Sequence, residues 1–230
     1  MGYVYHGSKI HGLTELIPHE STHGTYLYAT EDKNIATIMS QRCGDNQVYS
    51  FHIVEGKYVL IERIPHAFDK MFDTSCSIYT LDDSTFKNMH TGFNEVLSEE
   101  RVKVLKEERI DYLMDKINEM VNEGLIEMYR YPNRPEFVPE DDHDLIDMMY
   151  DRINKYNKQF SYRDLARVIF LHPDLEEDVR KLAKLQNIEL GTYDEIKDMF
   201  IEIQEKNPET ERYISNAEEM YEYKMNKKLL

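Results

Sequence analysis

Three short segments carry the residue types that could do chemistry. Val4-Tyr5-His6-Gly7-Ser8 sets an imidazole, a side-chain-free backbone unit and a hydroxyl in succession. Gly24-Thr25-Tyr26-Leu27-Tyr28-Ala29-Thr30 adds two aromatic rings, and Phe93-Asn94-Glu95-Val96-Leu97 adds a carboxylate within an apolar run. A neutral imidazole, bare backbone and a hydroxyl suit a carboxamide and a ribose, which need donors and acceptors in pairs. Glycine directly after a strand residue lets a ligand come close to the backbone. A cationic ring over an aromatic face gains roughly 0.5–2 kcal/mol. A carboxylate below a departing C–N glycosidic bond would stabilise an oxocarbenium-like transition state. Together the groups describe a site for a planar cationic ring whose departure leaves positive charge behind, as nicotinamide release requires.

Each residue also has a plainer reading. His6 at a strand end can be hydrogen-bonded in or near the core. Tyr26 and Tyr28 flank Leu27 and so share one strand face, where they can pack on a half-buried sheet or offer a π surface. Glu95 can point outward, since an acid inside an apolar run costs free energy unless it has a partner.

The elements that must position these residues follow from β-branched and aromatic runs separated by turn signals. Strands are expected at Tyr3–Tyr5, Tyr26–Ala29, Val48–Ile53, Tyr58–Ile64, Ser77–Leu81, Phe93–Leu97 and Val102–Leu105, with a hairpin turn at Glu55-Gly56. Thr30, followed by Glu31 and Asp32, is the expected N-cap of a helix carrying Ile35, Ile38 and Met39. From Arg109 to Tyr129 apolar residues recur at helical spacing. Three prolines (Pro132, Pro135, Pro139) then mark a linker, and helices are expected at about 142–157, 161–171, 174–187, 192–206 and 208–227. The fold class is thus α+β, with a mixed domain at 1–130 and an all-α region at 131–230.

At 230 residues and net charge −16, the chain can bury a sizeable core beneath an acidic surface. That charge disfavours a broad nucleic-acid-binding face, which would need clustered Lys and Arg, and it favours protein over nucleic acid as a macromolecular partner. Two cysteines without a CxxC pair exclude a disulfide framework and a zinc ribbon. The polar N-terminus leaves no room for a signal peptide, and no apolar run approaches ~20 residues, so a cytoplasmic protein without a membrane anchor is expected. His11, His19 and His23 have neither helical nor finger spacing, so no metal site is expected there. Ser75-Cys76-Ser77 has no neighbouring histidine in sequence to direct a nucleophile, and no glycine-rich phosphate loop occurs.

On these motifs the chain resembles the ADP-ribosyltransferase superfamily, in its His-Tyr-Glu branch of diphtheria-type toxins and poly(ADP-ribose) polymerases. Tyr5-His6-Gly7-Ser8 looks like the branch's first-strand motif, Leu27-Tyr28-Ala29-Thr30 its second, and Asn94-Glu95-Val96-Leu97 its glutamate strand. The resemblance covers about residues 3–105 and implies a split β-sheet core with helices. It implies NAD+ as substrate, held by His6, Gly7 and Ser8, with Tyr28 rather than Tyr26 stacking on nicotinamide and Glu95 catalytic. Where relatives carry a second stacking tyrosine, about eleven residues on, this chain has Met39, which covers a ring but stacks less well. Phe93, two residues before Glu95, departs from the acid-x-Glu pattern of arginine-modifying relatives. The implied activity is mono-ADP-ribosyl transfer. The alternatives are an NAD+ glycohydrolase or an inactive NAD-binding or interaction protein using its acidic helical half. An RNA 2′-phosphotransferase would share the fold but would need arginines for phosphate, and residues 1–105 offer Arg42, Arg63 and Arg101.

Overall fold

The computed structural model describes residues 2–21, 24–41, 46–88, 94–208 and 221–222. In chain order the elements begin with β1 (Tyr3–Ser8), β2 (Glu15–Leu16), β3 (His19–Ser21), β4 (Gly24–Thr30), α1 (Lys33–Met39), β5 (Tyr49–Val54), β6 (Lys57–Glu62) and α2 (Ala67–Met71). They continue with β7 (Cys76–Asp82), β8 (Lys87–Asn88), β9 (Glu95–Ser98), β10 (Val102–Ile110), α3 (Leu113–Asn122) and β11 (Ile126–Tyr129). The last helices are α4 (Asp144–Tyr156), α5 (Tyr162–Leu171), α6 (Glu176–Leu185) and α7 (Tyr193–Lys206). Among the described residues the chain is α+β, with two sheets and seven α-helices. None of these helices is long and apolar enough to cross a membrane.

The compact units do not follow a single boundary near residue 130. One unit comprises Met1–Cys43 and Phe72–Glu123; the other comprises Gly44–Met71 and Gly124–Leu230. The second unit therefore contains strands as well as helices, while its described residues after 130 form helices without strands.

In the first unit the strand order is β2-β10-β7-β1-β4-β9-β8, with β3 paired to β4. Strand alternation turns Val4, Leu27, Ala29, Tyr79, Leu81 and Val96 into one apolar cluster, each of them under a tenth exposed. The expected helix from Arg109 is corrected at both ends. β10 runs through Ile110 because Glu107, Glu108, Arg109 and Ile110 pair with Tyr79, Ile78, Ser77 and Cys76 of β7. α3 starts only at Leu113, burying Leu113, Met114, Ile117 and Met120. Gly124, at φ 75°, then reverses the chain into β11, a conformation that costs glycine little. The α1 N-cap is Asp32 rather than Thr30: its carboxylate accepts the N–H groups of Asn34 and Ile35. Thr30 ends β4, where its hydroxyl accepts the Asp32 N–H.

In the second unit β5 and β6 form the expected hairpin. Glu55 and Gly56 have φ 50° and 79°, the two positive values that a type I′ turn requires. β11 adds to β6 in parallel. α5 and α7 begin with capping boxes, Ser161 with Asp164 and Thr192 with Glu195. The expected helix at 208–227 lies almost wholly outside the described residues.

A buried ionic network joins sheet and helices within this unit. The Arg63 guanidinium donates to Asp142 at 2.9 Å, to both Asp144 oxygens at 2.8 and 2.6 Å, and to Ser50 Oγ at 3.2 Å. Arg134 donates to the carbonyls of Glu62 and Arg63. His172 Nε2 is 2.7 Å from the Gln47 carbonyl and its Nδ1 is 3.4 Å from Asp142. Arg63, Asp142 and His172 are each no more than 1 % exposed, so the charges must neutralise one another.

Candidate functional site

The first unit brings the His6, Tyr28 and Glu95 strands side by side, in the order β1-β4-β9. Tyr5 pairs with Thr30, and Thr30 pairs with Glu95. Among the described residues Tyr5–Thr30 is the one pair of the β1–β4 ladder. Two residues further on, the same register would set Gly7 opposite Tyr28. That pair does not form, and the Tyr28 carbonyl meets the His6 ring instead, with Nδ1 2.7 Å from Tyr28 O.

That bond fixes the state of the imidazole. A carbonyl only accepts, so Nδ1 carries the proton, and in the neutral ring Nε2 is an acceptor. Burial pushes the His6 pKa below the usual histidine range, and the charge of His19 acts in the same direction. His6 is therefore neutral at physiological pH, with an acceptor suited to a hydroxyl.

Pleating separates the side chains by face. Tyr5, Gly7, Tyr28, Thr30 and Glu95 share one face, while His6 shares the other with Val4, Leu27, Ala29 and Val96. A ligand meeting both sets would have to lie where the β1–β4 pairing ends, past Tyr5 and Thr30. Glu95 is half-buried at the start of β9, and Asn94 before it is exposed. Phe93 lies outside the described residues.

Gly7 has a second reason to be glycine. A Cβ there would lie 2.1 Å from the Ala36 carbonyl oxygen and 2.8 Å from Ser40 Cβ. The close approach is thus made by α1 itself, and the backbone edge of Gly7 facing β4 is what a ligand could use. Met39, the last residue of α1, is half-buried beside Ser40. Past it, the Gln41 carboxamide is buried without a hydrogen-bond partner among the described residues. The Ser8 hydroxyl accepts the Ile10 N–H at 3.1 Å, which shapes the end of β1. Tyr28 meets Tyr26 edge-on at 6.5 Å between centroids and His19 at 6.3 Å.

The histidines before β4 do not converge. His19 sits by Tyr28, His11 bonds two serines, and His23 lies outside the described residues. Among the described residues no three His, Cys, Asp or Glu side chains are grouped to hold a metal ion. Arg63 is consumed by carboxylates in the second unit, and Arg101 pairs with Glu15 at 3.1 Å at the surface. Arg42 is outside the described residues. Sequence reasoning missed the Arg63 network and the His11 cluster, because both join residues tens of positions apart and neither leaves a local motif.

Comparison with protein-family models, with curated proteins and with solved structures finds no match to this chain.

Proposed function

We propose that the first unit binds NAD+ where the β1–β4 pairing ends, releases nicotinamide and transfers ADP-ribose to an acceptor. One observation carries the reading: His6, Tyr28 and Glu95 stand on three adjacent strands, with the β1–β4 pairing ending at the Tyr5–Thr30 pair. His6 Nε2 accepts a ribose hydroxyl. The Gly7 backbone and Ser8 bind the carboxamide side, and Tyr28, with Met39, covers the nicotinamide ring. Glu95 anchors the ribose on the nicotinamide side and stabilises positive charge as the C–N bond breaks, and an acceptor nucleophile then attacks C1′.

Nicotinamide release from NAD+ with lysate as acceptor tests the reading. Replacing Glu95 by Gln should lower the rate by about 10²–10³, the loss typical of one group that stabilises transition-state charge. NAD+ affinity measured by calorimetry should change little. Full nicotinamide release by Glu95→Gln protein sinks the assignment.

A further inference from the structure

The histidine just past β1 lies in a hydrogen-bonded chain of its own. His11 Nδ1 is 2.7 Å from Ser77 Oγ, and Nε2 is 2.9 Å from Ser75 Oγ. Ser77 Oγ lies 2.6 Å from Glu107 Oε1 on β10. The Gly12 N–H, 2.9 Å from the same oxygen, and the Ser77 hydroxyl hold the Glu107 carboxyl below its usual pKa. Tyr79 OH stands 3.3 Å from it and gives its proton to the Ile10 carbonyl at 2.7 Å.

Donor and acceptor capacity sets the direction of each bond. An ionised carboxylate only accepts, so the single Ser77 proton goes to Glu107. Ser77 Oγ then accepts from His11, which places the ring proton on Nδ1. In the neutral ring Nε2 carries a lone pair, and the bond to it uses the Ser75 proton. Burial is graded along the chain. Ser77 is fully buried, His11 is half-buried, and Ser75 is half-buried in the turn before β7. A carboxylate thus orients an imidazole through one buried hydroxyl, and the imidazole accepts the proton of a second hydroxyl on a half-buried residue. This is the relationship of orienting group, base and nucleophile that activates a serine.

We propose that Ser75 is the nucleophile of a second reactive site that takes small carboxylic esters, with His11 as general base and Ser77 and Glu107 as positioning residues. Ser75 Oγ bonds to the ester carbonyl carbon as its proton passes to His11 Nε2. The carbon–oxygen bond to the alcohol breaks, and that proton leaves with the alcohol. Water then attacks the acyl-serine, gives one proton through His11 to Ser75 Oγ, and releases the carboxylic acid.

The intact protein treated with a fluorophosphonate probe tests this, with peptide mapping by mass spectrometry and p-nitrophenyl acetate hydrolysis as a second readout. One equivalent should add at Ser75, and Ser75→Ala should remove both labelling and hydrolysis. His11→Gln should slow labelling by about 10²-fold or more, as loss of a general base does. Glu107→Gln and Ser77→Ala should slow labelling of Ser75, and Ser77→Thr, which keeps the bridging hydroxyl, should restore it; a merely structural pair would leave the labelling rate in place. Labelling of Ser75 in the unaltered protein no faster than of other surface serines overturns the proposal whatever the variants do, as does an undiminished rate in folded His11→Gln protein. Neither outcome bears on Glu95, whose test reads nicotinamide.

Discussion

At the scale of single residues, Gly7 and His6 make the sharpest demands. Gly7 carries no positive φ, so its requirement is space: a methyl group would meet the Ala36 carbonyl of α1 and Ser40 just after it. Gly7→Ala should destabilise the protein by about 1–3 kcal/mol through overpacking, seen as a lower urea midpoint with an unchanged slope. On the proposed reading NAD+ affinity should fall with it, because α1 must shift away from β1. His6 predicts a pH effect with a definite sign. Its folded pKa is depressed, so below about pH 6.5 the unfolded chain takes up a proton that the folded one refuses. The stability that neutral His6 contributes is complete above that value and is lost as pH falls toward the folded pKa. Urea unfolding at pH 7.5 and 5.5 should therefore show a smaller loss in His6→Gln than in the parent protein. On the proposed reading NAD+ binding should be flat above pH 6.5, since Nε2 is already bare there.

At the scale of elements, the capped helices and the buried ion network are where stability is testable. Ser161 caps α5 with its side chain on the Asp164 N–H, and Ser161→Ala should cost about 1 kcal/mol. Removing Arg63 is a different matter. Arg63→Met leaves Asp142 at 0 % exposure without its main counter-charge, and about 3–5 kcal/mol should be lost in urea unfolding. Elements with a one-dimensional signature were legible in the sequence: the Glu55-Gly56 hairpin, the helices at Ser161 and Thr192, and the strands bearing His6 and Tyr28. Elements defined by a distant partner were not. The charged residues from Lys106 to Arg109 suit a helix surface as well as a strand, and only pairing with β7 decides in favour of β10. β11 is four residues long and is recognised by its parallel partner β6. The neutral state of His6 depends on a carbonyl twenty-two positions away, and the His11 chain depends on serines more than sixty away. Side-chain type could suggest chemistry at each place, but it could not supply the neighbour.

At the scale of the whole molecule, the composition of the second unit matters most. A chain truncated after residue 130 keeps 44–71 but loses every helix from α4 onward. Val59 and Ile61, buried against Val138, would then be exposed, and Arg63 would lose both Asp142 and Asp144. Such a protein should show rapid proteolysis within 44–71 and a tendency to aggregate, read by limited digestion and light scattering.

The same division sets a timetable during synthesis. The Gly44–Met71 segment leaves the ribosome early, then all of Phe72–Glu123 is made before β11 emerges to pair with β6. The first unit can therefore close while the β5–β6 hairpin still waits, its edge strand unpaired and Arg63 without its carboxylates. A nascent chain stalled once residue 123 has just cleared the ribosome should show a protected first unit and an exchange-labile hairpin. A two-stranded ribbon is marginally stable in water, so that waiting period is when the protein is most exposed to misassociation.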